Sequence, residues 1–86
     1  PTLFDPVVFG AIEASNRILM APLTRTRGSA DHVPTAIMAE YYVQRASAGL
    51  IISEAIGVSR QGLGMPYATG LWRSDQVEGW ARITEA

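Results

Sequence analysis

The chain has 86 residues, a formal net charge of -1 and no cysteine, which allows one small domain at most. That charge gives no reason to expect nucleic acid or an anionic membrane as a partner, and the lack of cysteine excludes disulfides, thiolate nucleophiles and zinc–thiolate sites. Charged residues make up 17% against 48% hydrophobic ones, where an ordinary domain has roughly a quarter charged. Some apolar surface is therefore expected to be covered by protein outside these residues. No run approaches the ~20 apolar residues of a membrane span, and no signal-peptide pattern opens the chain. The expected setting is soluble and cytoplasmic.

Leu3 to Asn16 holds two short apolar pieces divided around Gly10, the pattern of an extended hairpin or a looped lead-in, with Pro6 barred from a central strand. Ile18 to Ala21 reads as a short buried strand. It stops at Pro22, and a hydroxyl and a cation follow at once in Thr24 and Arg25. A buried parallel strand delivers polar groups in this way to its C-terminal end, where α/β folds place ligands. Thr24 to Val33 is a polar loop.

Pro34 and Thr35 open a helix expected to run to about Ser47, with Ile37, Met38, Tyr41 and Tyr42 as its apolar residues. Gly49 stands where a left-handed helix cap is expected. A second strand begins at Leu50 and is expected to end near Val58. A loop from Ser59 to Arg73 follows, and Ser74 or Asp75 is expected to cap a last helix carrying Val77, Trp80, Ala81 and Thr84 on one side. That helix runs to Ala86 without a stop signal, which reads as a cut rather than a finished chain. The strand starts Ile18 and Leu50 are 32 residues apart, a normal length for one strand–helix unit of a parallel barrel. Two such units leave open sheet edges that must be paired or covered.

Three blocks carry a resemblance: NRILMAPLTR (16–25), EYYVQRASAGLIISEA (40–55) and GLWRSDQVEGW (70–80). In order and spacing they resemble the opening quarter of the Old Yellow Enzyme family of FMN-dependent ene-reductases, and are most similar to its bacterial cyclohexenone and nitrate-ester reductases. The resemblance implies an α/β fold, the N-terminal part of a (β/α)8 TIM barrel completed by another chain. Residues 1–17 would form the capping hairpin and 18–86 the first two βα units. It implies FMN as cofactor and NADPH or NADH as hydride donor, with hydride passing through the flavin to an alkene conjugated to a carbonyl or nitro group.

By the same resemblance, Ala21, Pro22, Leu23 and Thr24 lie along the flavin ring, with the Thr24 hydroxyl on its O4 side as a flavin-tuning group. Ala55 brings its main-chain N–H to the ring. Met65, where the family commonly has an aromatic residue, and Tyr67 belong to the substrate rim; loop anchoring is the alternative for both. Arg25 is a further candidate near the flavin. The family's histidine-containing carbonyl-binding pair and its proton-donating tyrosine belong to later strands, so no acid catalyst is expected here.

Other residues read as structural. His32, the only histidine, is expected to be a solvated loop residue rather than a metal ligand. Glu54 is expected to pair with Arg45 or Arg17. Tyr41 and Tyr42 are expected to pack the helix, with a phenol reaching a polar group. Two readings follow: one piece of a split or permuted ene-reductase completed by a companion polypeptide, or a non-catalytic isolated barrel fragment that at most binds flavin or another protein.

Overall fold

The computed structural model describes residues 2–86; Pro1, the first residue of the expected cap, lies outside the described residues. In chain order they form β1 (Val7–Phe9), β2 (Ile12–Ala14), β3 (Leu19–Met20), α1 (Ala36–Val43), β4 (Leu50–Ile51), a 3-10 turn at Arg60–Gly62 and α2 (Ser74–Glu85). β1 and β2 pair antiparallel, with Phe9 opposite Ile12, so Gly10 and Ala11 make a two-residue turn. Gly10 enters it at φ 61°, a left-handed conformation that costs little only for glycine. Pro6 stands just ahead of β1, where its missing N–H breaks no ladder bond.

β3 and β4 pair in parallel, Leu19 opposite Leu50 and Met20 opposite Ile51. One bond extends the ladder at each end, from Gly49 N–H to the Ile18 carbonyl (2.8 Å) and from Ile52 N–H to the Met20 carbonyl (3.1 Å). Both strands are shorter than their apolar runs predict. Pro22 has no N–H to continue the ladder, and residues 52–56 run on without a strand partner. Pairing resumes only as a parallel bridge between Gly57 and Gly70.

Gly49 is not the left-handed cap expected of it, since Gly10 is the one described glycine with positive φ. Its role is steric. A Cβ there would collide with the Asn16 carbonyl, because the chain entering β3 and the chain entering β4 pass at backbone contact. Asn16 fixes the crossing by donating from Nδ2 to the Ser47 carbonyl (2.9 Å) and accepting at Oδ1 from Ile18 N–H (3.0 Å). The helix before it ends early for the same reason. Beyond Gln44 the bonds shorten to three-residue steps, Arg45 to Tyr42, Ala46 to Val43 and Ala48 to Arg45, which tightens the last turn toward the crossing.

Met38 and Tyr42 of α1 and Trp80 of α2 form the buried cluster, with Met20, Tyr41, Ile51, Ile56 and Ile83 packed against it. Ile37 does not join them and is 60% exposed. α2 is also turned relative to its apolar pattern, burying Gln76, Gly79 and Trp80 while Val77 stays 53% exposed. Gly79 sets this face, because a Cβ on it would meet Pro34 Cδ at 2.8 Å. The helix cap differs too. Arg73 is the N-cap, and the fully buried Gln76 reaches back to accept at Oε1 from the backbone N–H of Trp72 (2.8 Å) and Arg73 (3.0 Å).

These residues make a partial α/β unit rather than a closed globule. The radius of gyration is 14.3 Å, against about 12 Å for a compact domain of this length. The accessible surface is 5773 Å², against about 5,000 Å² for a folded monomer of this mass. Among the described residues no helix is long and apolar enough to cross a membrane.

Candidate functional site

The C-terminal ends of β3 and β4 lie side by side. Thr24 and Ala55 each stand four residues past the last ladder pair, Met20 with Ile51. Ala21, Pro22, Leu23 and Ala55 are exposed and Thr24 is half-buried. The backbone N–H groups of Leu23, Thr24 and Ala55 make no hydrogen bond among the described residues, and neither does the Thr24 hydroxyl. This edge therefore offers apolar contact from Pro22 and Leu23 together with unpaired donors, in a place where the strand ladder has ended. Exposed backbone donors of this kind can bond to water or to a ligand.

Behind Ala55 the chain is tightly held. Glu54 is only 4% exposed. Its carboxylate Oε1 accepts from the Tyr42 hydroxyl (3.2 Å), and its backbone N–H donates to the same phenol oxygen (3.1 Å). The expected partners Arg45 and Arg17 do not pair with it. Among the described residues the one ion pair is Arg73–Asp75 at 3.2 Å. Burial, opposed in part by the bond from the Glu54 backbone, raises the Tyr42 phenol above its ordinary 10.0. Arg45 and Arg25 instead lie over the Tyr41 ring, 4.1 and 4.8 Å from its centroid. Together with Arg27 and Glu54 they line a cleft of about 370 Å³.

Met65 and Tyr67 are exposed on the loop between β4 and α2, and a seam ties that loop to the one after β3. Gly28 N–H donates to the Tyr67 carbonyl (2.9 Å) and Gly70 N–H to the His32 carbonyl (3.0 Å). His32 is half-buried rather than solvated. Its Nδ1 lies 2.7 Å from the Ala68 carbonyl, which requires the proton on that nitrogen, and its ring sits beside Trp72. Arg73 and Gln76 both donate to the Asp31 carbonyl, at 2.8 and 3.3 Å. Thr26, His32 and Tyr67 adopt positive φ within this seam. No short-range signal announced it, because its bonds join residues more than thirty positions apart to backbone carbonyls.

The structure thus places Thr24 and Ala55 on the two segments that leave the paired strand ends, and Met65 and Tyr67 on a separate, anchored loop. The phenol expected to reach a polar group from the Tyr41–Tyr42 pair is that of Tyr42, with Glu54 as its partner; no sequence signal points to Ser53, whose hydroxyl donates to the Glu54 carbonyl at 3.1 Å.

Residues 2–86 match the model of the NADH:flavin oxidoreductase / NADH oxidase family. The structure is similar to that of the old yellow enzyme homologue from Zymomonas mobilis, with 68% identity and a TM-score of 0.94 over 99% of this chain and 24% of that one. It is similar to morphinone reductase in complex with tetrahydroNAD, with 47% identity and a TM-score of 0.94 over 99% of this chain and 23% of that one. A putative 12-oxophytodienoate reductase 3 from Oryza sativa subsp. japonica is 49% identical over 85 residues, 98% of this chain and 22% of the relative. The chain spans about a quarter of the length of these relatives. On the match across residues 2–86 and the agreement of its fold with old yellow enzyme structures, the chain belongs to the NADH:flavin oxidoreductase / NADH oxidase family, the old yellow enzymes, which use FMN with NAD(P)H as hydride donor.

Proposed function

We propose that this chain is the flavin-facing wall of an FMN-dependent ene-reductase. Residues 2–17 cap the N-terminal face and residues 18–86 are the first two βα units of a (β/α)8 barrel whose other units lie outside these residues. One observation carries the reading: in a chain of this family, unpaired donors and apolar contact converge where two parallel strands end. That donor set fits the isoalloxazine of FMN, a flat ring with apolar faces and an edge of hydrogen-bond acceptors.

FMN, when bound, supplies the hydride chemistry, accepting hydride from NADPH or NADH and passing it to an alkene activated by a carbonyl or nitro group. Ala21, Pro22 and Leu23 pack along the ring and exclude water from it. Thr24 donates its hydroxyl to a ring carbonyl, which favours the electron-rich reduced form. Ala55 offers its main-chain N–H, and its small side chain lets the ring approach. Met65 and Tyr67 line the substrate rim, where a flexible thioether in place of an aromatic ring accommodates varied shapes. The groups that polarise the substrate and return the proton lie outside these residues.

Native mass spectrometry of the isolated protein, followed by assay on 2-cyclohexenone with NADPH, tests this. The expected result is an assembly larger than this chain carrying one FMN and reducing the enone. In it, Thr24→Ala keeps the flavin but slows turnover about tenfold or more, the loss of one charge-assisted hydrogen bond. A 9.3 kDa species without flavin would overturn the reading and leave a non-catalytic fragment.

A further inference from the structure

Glu54 is held by three hydrogen bonds, one of them on the Glu54–Ala55 peptide, although it lies beyond the end of the strand ladder. The last ladder bond is Ile52 N–H to the Met20 carbonyl, so backbone pairing no longer fixes residues 53–56. Side chains take over. The Tyr42 phenol accepts from Glu54 N–H (3.1 Å) and donates to Glu54 Oε1 (3.2 Å), closing a ring that ties the main chain of Glu54 to its own buried carboxylate. The Ser53 hydroxyl donates to the Glu54 carbonyl (3.1 Å).

In a trans peptide the carbonyl and the following N–H point in opposite directions, and the described chain has no cis bonds. Holding the Glu54 carbonyl on Ser53 therefore aims the Ala55 N–H the other way. Ala55 is exposed, and its N–H has no partner among the described residues. Tyr42 is itself anchored, with its ring 6.4 Å from Trp80 in the buried cluster, so the geometry is transmitted from the core.

We infer that Tyr42 and Ser53 are positioning residues that together aim the Ala55 main-chain N–H at the flavin. The inference rests on the proposed placement of FMN against Ala55. It adds that a phenol on α1, touching neither cofactor nor substrate, sets the redox balance of the ring. An N–H aimed at a ring acceptor holds the reduced, more electron-rich flavin more tightly than the oxidised one, so misaiming it weakens that preference.

The test is the flavin midpoint potential of the FMN-loaded assembly, read by spectroelectrochemistry for Tyr42→Phe, Ser53→Ala, Ala55→Pro and, as control, Tyr41→Phe. The Tyr41 hydroxyl makes no hydrogen bond among the described residues. Ala55→Pro deletes the N–H itself and reports on the placement of FMN. The expected result is a negative shift in Ala55→Pro, Tyr42→Phe and Ser53→Ala but not in Tyr41→Phe. For Tyr42→Phe the ratio of reduced- to oxidised-flavin affinity falls about tenfold, or about 30 mV for a two-electron couple. A shift in Ala55→Pro with none in Tyr42→Phe and Ser53→Ala overturns the positioning role and leaves the FMN placement standing. No shift in Ala55→Pro overturns the placement, and the inference with it. If Ala55→Pro does not assemble, Tyr42→Phe matching Tyr41→Phe in potential overturns the positioning role alone.

Discussion

The helix side and the strand-end side of this chain differ in how much of their bonding is completed internally. On the helix side, Met38, Tyr42 and Trp80 are buried together, Gln76 satisfies both ends of its amide, and the two long loops are stitched through His32, Asp31 and Gly70. On the strand-end side, Ile18, Leu19, Leu23 and Ile52 are exposed, and the donors of Leu23, Thr24 and Ala55 are unpaired. The helix side is not fully closed either, since Trp80 Nε1 and Thr69 Oγ1 are buried without a partner among the described residues and Ile37 and Val77 are exposed. The strand ends, though, combine exposed apolar side chains with unpaired backbone donors in one place. The contrast also locates the specificity of the fold: polar side chains bonded to backbone hold the loops, while burial holds only the helices to the short sheet.

Substitutions in the FMN-loaded assembly sharpen this contrast, with stability read from denaturant midpoints. Trp80→Ala, in the completed core, is expected to cost about 3–5 kcal/mol. Leu19→Ala is the informative partner. If polypeptide beyond this chain covers the open face, the loss approaches the ~2–5 kcal/mol of a buried leucine; a change within about 0.5 kcal/mol would break the comparison by showing that the face stays in water. Gly49→Ala drives a methyl group into the Asn16 carbonyl, and displacing the backbone there is expected to cost about 1–3 kcal/mol.

Tyr42→Phe leaves the Glu54 N–H and carboxylate without their partner, for a loss of about 1–3 kcal/mol. Its pH dependence has a definite sign. Because burial raises the Tyr42 pKa on folding, its contribution is full below the ordinary value of 10.0 and fades as pH rises through the raised one. The stability gap between wild type and Tyr42→Phe should therefore narrow above pH 10.0; a gap constant through that range would contradict the burial argument. The smallest effect is expected from Asp75→Asn, since the Arg73–Asp75 pair is solvent-exposed and such pairs contribute under about 1 kcal/mol.

Local chemistry made much of this legible in sequence. The turn at Gly10 reappears in the hairpin, and the two expected strands pair in parallel, though they begin at Leu19 and Leu50 and β3 ends at Met20, two residues before Pro22. The three sequence blocks pointed to the family. What sequence reading got wrong depends on close approach between distant segments. Gly49 reads as a helix cap until Asn16 is seen against it, and α2 turns Val77 outward because Gly79 must sit on Pro34. His32 looks like a solvated loop residue until the Ala68 carbonyl appears at its Nδ1. Glu54 has two arginines at plausible distance in sequence, yet its partner is a phenol one helix away.

The most direct test of the central claim is residue-resolved hydrogen exchange of the assembly with and without FMN. FMN is expected to slow exchange at the Leu23, Thr24 and Ala55 amides while the already bonded seam amides of Gly28 and Gly70 change little. Unchanged exchange at all three strand-end amides in the FMN-bound protein would contradict that claim.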